Sequence, residues 1–175
     1  MVAGHGLLNS LLMERTTFFE IMTSFPTGVA VVTTANRAGT PFGFTSNAVS
    51  SVSDEPPMLL VCVARTSRTL PALLEARGFL VNFMGEGSED ACTMFASKAA
   101  PAEKFASVEW TPSPEGFPLL HTLSVAHLTC RTEHELEAGS HVVFIGRVVD
   151  GAVTDHVRHP IAYFRRAYRS WPAIE

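Results

Sequence analysis

The sequence predicts a mainly β protein: a closed antiparallel barrel of six or seven strands, accompanied by two or three short helices. Three observations carry this. Apolar, β-branched-rich runs of strand length recur at 29–34, 58–64, 79–84, 125–133, 141–149 and 161–168. Turn residues such as Asn36-Arg-Ala-Gly39 and Gly139 separate several of them, and the long helical crossovers that a parallel sheet needs are missing. Finally, 175 residues with 46% hydrophobic and 17% charged content suffice for one domain with a real core.

In order, Leu8, Leu11, Leu12, Phe18, Ile21, Met22 and Phe25 keep the spacing of an amphipathic helix. Asn9, Ser10 or Thr16 could cap it and Pro26 ends it; residues 1–14 are an N-terminal extension or part of this helix. Such a helix would cover one end of a barrel or meet a partner subunit. The run 29–34 is apolar on both faces, as a strand inside a closed core should be. Asn36–Gly39 reads as a hairpin returning the chain through Phe42 and Phe44. Asp54-Glu-Pro-Pro57 breaks a strand and leads into 58–64.

Ser67 is expected to cap a helix with Leu70, Leu73 and Leu74 on one face, closed by Gly78. Ser88, Glu89 and Asp90 start another, the acids complementing the helix dipole, with Ala91, Cys92, Met94 and Phe95 on its buried side. Residues 98–120, with Pro101, Pro112, Pro114, Gly116 and Pro118, read as a long irregular connection. Along 125–133, Ala126, Leu128 and Cys130 alternate with His127, Thr129 and Arg131. No repeat, low-complexity tract or linker divides the chain, so one domain spans 1–175.

Several function classes fall away. A net charge of −4 and a pI near 6 provide no basic stripe for nucleic acid. No apolar run approaches the roughly 18–20 residues of a membrane span. No basic n-region or small-residue cleavage site suggests a signal peptide, so a cytoplasmic location is expected. Cys62, Cys92 and Cys130 are odd in number and widely spaced, which fits buried reduced thiols better than a disulfide framework or a C-x-x-C motif.

G-x-G-x-x-G, Walker, H-E-x-x-H and G-x-S-x-G motifs are all missing. Gly85-Glu-Gly87 is a poor phosphate cradle beside Glu86, Glu89 and Asp90, and reads as a turn. His156 and His159 stand i, i+3 without a third ligand, so no metal site is assigned.

Between the first two apolar runs, 29–34 and 58–64, lies a hydroxyl-rich stretch: Thr45, Ser46, Asn47, Ser50, Ser51 and Ser53. Two readings stand. It is an ordinary Ser/Thr-rich turn, or its short polar side chains approach a ligand bearing carbonyls, hydroxyls and phosphate.

Here a resemblance enters. F-P-T-G-V-x-V-V-T-T from Phe25, G-x-T-x-N-A-x-x-S-V-S from Gly43 and P-P-x-L-L-V-C-V from Pro56 closely resemble the flavin reductase component of two-component monooxygenases. That family has short chains built on the FMN-binding split barrel. The resemblance covers roughly residues 15 to 171.

At the matching positions it implies that Thr45, Ser46, Asn47 and Ala48 approach the ribityl chain and ring, with Ser50 and Ser51 near the isoalloxazine. The backbone of Cys62, Val63 and Ala64 would line the same pocket. Ser67, Thr69, Ser97 and Lys98 would stand on the phosphate side, helped by the helix after Ser67. Lys98 is equally consistent with a solvated surface, and Phe95 and Phe105 with either core or flavin contact.

The family's G-D-H motif matches Gly139-Ser140-His141, whose histidine faces the nicotinamide in the relatives. Ser140 in place of Asp removes a possible partner of the imidazole, so His141 stands between nicotinamide contact and solvated turn. Tyr168, in Y-F-R-R-A-Y-R, resembles the family's late aromatic that helps close the site. Arg165, Arg166 and Arg169 would greet a pyrophosphate or form an exposed basic face.

The implied activity is NAD(P)H:flavin oxidoreduction. Hydride passes from NADH or NADPH to N5 of FMN or FAD, and diffusible reduced flavin goes to a separate monooxygenase. The cofactor pair supplies that chemistry, so no catalytic triad is expected. Both flavins present the same ring and first phosphate, and FMN and FAD therefore stand together. A homodimer is implied as well. Two other readings are a flavin-binding barrel that reduces nothing and a split-barrel oxidase of the pyridoxamine-phosphate oxidase type.

Overall fold

The computed structural model describes residues 13–154 and 159–170. The chain opens with α1 (Arg15–Thr23), β1 (Thr27–Gly28), β2 (Ala30–Ala35), β3 (Pro41–Ser46), β4 (Val49–Asp54) and β5 (Pro57–Ala64). Next come α2 (Leu70–Ala76), β6 (Gly78–Met84), α3 (Glu89–Ala96), α4 (Pro101–Ala106), β7 (Thr111–Pro112) and β8 (Pro118–Leu119). β9 (Ser124–Ala138) and β10 (His141–Val153) form a long hairpin, followed by β11 (Ile161–Phe164) and β12 (Ala167–Ser170).

Among the described residues the architecture is mainly β with four helices. Seven strands pair antiparallel in the order β3-β2-β6-β9-β10-β5-β4. Backbone pairing does not close this sheet into the expected barrel, because β3 and β4 are left as its two edges. These edges are consecutive in the chain and meet at the Asn47–Ala48 corner, where the Cys62 N–H donates to the Ala48 carbonyl at 3.0 Å.

β2 is apolar on both faces because both faces are covered. Ala30 and Val32 join a core with Leu59, Val61, Val63, Leu73, Phe79 and Phe144. Val29 and Val31 join a second core with Met84, Cys92, Phe95, Phe105, Leu120 and Ile161. The first core is closely filled at Gly146, where an added Cβ would sit 2.8 Å from the Cys130 Cβ and 2.9 Å from Phe79.

Several boundaries differ from expectation. Residues 8–12 of the anticipated first helix lie outside the described residues, and α1 buries none of its own. The 98–120 connection contains α4, which starts at Pro101. Proline at the first helical position loses no hydrogen bond, so a residue read as a breaker is an initiator here. The end of that connection is pinned to β6. Buried Asn82 donates through Nδ2 to the Val31 carbonyl (3.0 Å) and accepts through Oδ1 from the Leu120 N–H (2.8 Å).

α2 begins after Thr69, and Ser67 instead accepts the Thr69 N–H in a local turn (3.2 Å). Left-handed Arg77 (φ 52°) ends α2, while Gly78 opens β6. Gly78 is needed there for space: a Cβ would meet Phe117 at 2.9 Å and the Cys130 carbonyl at 3.0 Å. The single strand expected at 161–168 is a hairpin whose turn, Arg165-Arg166, is left-handed at both positions (φ 47° and 63°). That conformation suits a tight hairpin, but two arginines carry no turn signal. In β9, Thr129 is buried together with Cys130, breaking the alternation beside an irregular register at Val148/Asp150.

Candidate active site

A cleft of about 610 Å³ opens where the two sheet edges meet. Its walls are the β3–β4 corner, the end of β5, the turn before α2, and the end of α3 with α4 behind it. Strand periodicity selects the β5 contribution. Leu59, Val61 and Val63 point into the core, whereas Cys62 and Ala64 line the cleft. Val63 can therefore offer only its backbone.

Of the residues singled out from sequence, Thr45, Ser46, Asn47, Ala48, Cys62, Ala64, Ser67, Thr69, Phe95, Ser97, Lys98 and His141 line this one cleft. Many of the hydroxyls also shape it. Thr45 Oγ1 donates to the Cys92 carbonyl (2.6 Å), tying β3 to α3. Ser46 Oγ accepts the Ala48 N–H (3.1 Å) across the corner. Ser97 Oγ donates to the Met94 carbonyl (2.7 Å) and accepts the Ala99 N–H (3.1 Å), closing α3. The Ser/Thr-rich stretch is thus a set of turns whose first residues, Thr45, Ser46 and Asn47, also form a wall of the cleft.

Besides Val63, four of the expected residues lie elsewhere. Ser50 sits on a neighbouring cleft of about 410 Å³, across the Ser46–Asn47 ridge, with Phe25, Val29 and Phe83. Ser51 is exposed on β4. Phe105 is in the second core, edge-on to Phe95 (centroids 5.1 Å apart) and to Trp110 (5.7 Å). Tyr168 packs against the same core and Tyr163, with ring centroids 5.4 Å apart. Burial raises its phenol above the ordinary value.

The cleft also recruits residues that sequence reasoning missed: Phe44, Thr66, Arg68, Ala96 and Lys104. Lys104 is the most informative. Only 7% exposed, its Nζ donates to the Phe95 carbonyl at the end of α3 (2.8 Å) and reaches the Gly43 carbonyl at 3.5 Å. Burial, and secondly the positive charge of Arg68, lower its pKa. With Lys98, these residues make a cationic end to the cleft, and no carboxylate is among the lining residues. Pro101 as a helix start was the available signal, since α4 places Lys104 and Phe105 inward together.

His141 is the first residue of β10, paired with Ala64 of β5 and Ala138 of β9, and stands exposed on the cleft. The loss of an imaginable imidazole partner through Ser140 is corrected by the geometry: Ser140 Oγ lies 3.0 Å from His141 Nδ1. A hydroxyl can donate to or accept from that nitrogen, so a neutral partner replaces a charged one.

All three cysteines are free thiols. Burial pushes Cys92 up to about 11 and Cys130 up to about 12, and raises Cys62, so none is an activated nucleophile at neutral pH. Among the described residues no group of three or more His, Cys, Asp or Glu side chains could hold a metal ion; His156 lies outside them. No helix among the described residues is long and apolar enough to cross a membrane.

Fold and cleft together define a small antiparallel β protein with a cleft at a sheet corner that is lined by hydroxyls and cationic at one end. Comparison with known proteins narrows that class. Residues 22–172 match the flavin reductase like domain, and the chain belongs to this family. It is 44% identical over 94% of its length to a flavin reductase (NADH) of Kitasatospora aureofaciens, covering 85% of that protein. It is 34% identical over 95% of its length to HsaB, the reductase subunit of a flavin-dependent monooxygenase from Rhodococcus jostii, covering 83% of that protein. Among solved structures, the NADH:FAD oxidoreductase SgcE6 of Streptomyces globisporus, in complex with NAD and FAD fragments, superposes with a TM-score of 0.83 at 30% identity. That match covers 91% of this chain and 93% of the other.

Proposed function

We propose that this chain is the reductase half of a two-component flavin-dependent system, reducing FMN or FAD with NADH and releasing the reduced flavin to a separate monooxygenase. The observation that carries the reading is the single cleft joining a cationic end (Arg68, Lys98, Lys104) to a hydroxyl-lined corner with His141 at its rim. Its volume of about 610 Å³ falls in the range of small-molecule sites. The residues present fit a flavin mononucleotide moiety. The cations and the turn at Ser67–Thr69 suit the phosphate, Thr45–Ala48 the ribityl chain, and Cys62 and Ala64 provide an apolar shelf.

A bound flavin supplies the hydride-accepting N5 and the proton site that completes its reduction. The protein's share is placement. Arg68, Lys98 and Lys104 hold the phosphate end by charge, and the backbone around Cys62–Ala64 steadies the ring at the sheet edge. His141 offers a ring nitrogen to the nicotinamide on the open side, and alignment of the two rings is what accelerates transfer. Phe105 and Tyr168 act as supports around the site: Phe105 braces Phe95, and Tyr168 braces α3 from behind. NADH rather than NADPH is favoured by the relatives' names. Purified protein with NADH and either FMN or FAD, in air, should consume NADH with many turnovers. A protein that binds flavin yet never oxidises NADH or NADPH would instead be a flavin-binding barrel, and this reading would fall.

Three further attributes complete the proposal. The two sheet edges, meeting at Asn47–Ala48, act as the seam of a split barrel. The protein works in the cytoplasm, consistent with three free thiols. It acts as a homodimer, for which α1 and the turn after it supply an apolar surface: Phe18, Phe19, Ile21, Met22 and Phe25 are all exposed. Light scattering should return twice the 19.0 kDa chain mass, and a monomer at working concentration would remove that part.

A further inference from the structure

His141 sits at the most fray-prone kind of position, directly after the turn of a long hairpin. One residue holds that turn from the neighbouring strand end. Arg65 follows β5, and its backbone N–H donates to the Ser140 carbonyl at 3.0 Å. Its side-chain Nε donates to the Gly139 carbonyl at 3.0 Å, and its terminal nitrogen meets Glu137 Oε2 at 2.9 Å. Gly139 is left-handed (φ 57°), and nothing lies within 4 Å of where its Cβ would be, so packing does not hold the turn there. Arg65 thus grips each of the two residues before His141 and the end of β9. Ser140 passes the constraint on through its hydroxyl, 3.0 Å from His141 Nδ1. Arg65 itself does not line the cleft, whereas its neighbours Ala64 and Thr66 do.

We propose that Arg65 is a positioning residue for nicotinamide binding: by clamping the Gly139–Ser140 turn it fixes where the His141 ring stands over the cleft. This rests on His141 facing the nicotinamide, as proposed above. The Arg65–Glu137 ion pair is solvent-exposed and contributes little by itself. The hydrogen bond to the Gly139 carbonyl is the part that depends on the guanidinium.

Steady-state kinetics on four proteins test this: wild type, Arg65→Ala, His141→Ala and the double variant. Arg65→Ala should raise the KM for NADH about three- to tenfold, the scale of one lost hydrogen bond of ordinary net strength at an exposed site, with the flavin KM within about twofold of wild type. In the His141→Ala background the same change should add nothing, because the two residues act as one unit. An equal rise in both KM values, an unchanged NADH KM, or an undiminished effect in the double variant would overturn the role of Arg65. Should His141→Ala alone leave the NADH KM unchanged, the nicotinamide assignment of His141 fails first and takes Arg65 with it. If Arg65→Ala does not fold, Arg65→Gln removes the charge and the fork and is read by the same criteria.

Discussion

Exchanging Lys104 for methionine is expected to weaken FMN and FAD binding by about tenfold to a hundredfold while leaving riboflavin binding within about threefold. The exchange keeps the volume of the side chain and removes its charge. Loss of a charge-assisted hydrogen bond to phosphate sets the scale, about 1.5–3 kcal/mol. Buried Lys104 and nearby Arg68 repel one another at the cleft, which is what helps lower the lysine's pKa. An arriving dianion relieves that repulsion.

The pH dependence follows with a definite sign. The folded pKa of Lys104 is depressed, so its contribution to stability is present above the ordinary lysine value and is lost as pH falls through the lowered folded value. Flavin affinity runs the other way, weakening as pH rises through that lowered value and the ammonium is neutralised. The methionine variant should show neither trend. Fluorescence titration with FMN, FAD and riboflavin decides the matter. If riboflavin loses as much affinity as FMN, Lys104 merely props the wall through the Phe95 carbonyl, and the phosphate assignment is wrong.

Gly146→Val should destabilise the fold by about 3 kcal/mol or more, the upper end for overpacking a filled core. A Cβ at this position would already stand 2.8 Å from the Cys130 Cβ and 2.9 Å and 3.1 Å from two atoms of Phe79. Both neighbours are fully buried, so neither can swing into solvent. Gly146 also sits at a register shift between β10 and β9, where the backbone has little freedom to retreat. Urea unfolding at one fixed protein concentration measures the effect. Gly28→Ala, with nothing within 4 Å of the new atom, is the control and should change stability by no more than about 0.5 kcal/mol. A wild-type midpoint for Gly146→Val would mean that the Phe79 core is far looser than its burial implies.

Much of this was legible in the residues, and the failures have physical causes. Strands announced themselves wherever β-branched runs met turn residues, as at 29–34 and 58–64, because burial on both faces of the first and on alternate residues of the second selects apolar side chains. The Arg165-Arg166 turn left none, since its left-handed backbone is imposed by strand pairing rather than by residues that prefer it. Pro101 misled because proline is both a helix stop and a helix start, and sequence spacing does not tell which. The site divides the same way. Most motif-matched positions line one cleft, but Lys104 was silent because a buried cation is visible only once its shell of carbonyls is assembled, and exposed Arg68 because its place on the cleft depends on the turn before α2. Ser140 shows the converse: read as a loss, it turns out to hold the imidazole by its hydroxyl.

The sheet's open seam bears on turnover. A guest lodged between two strand ends that are not laced together can depart without a single rung of the ladder being undone. Unloading then demands no unfolding and no door. For a courier that must surrender its cargo after every reaction, the unstitched margin is where delivery begins.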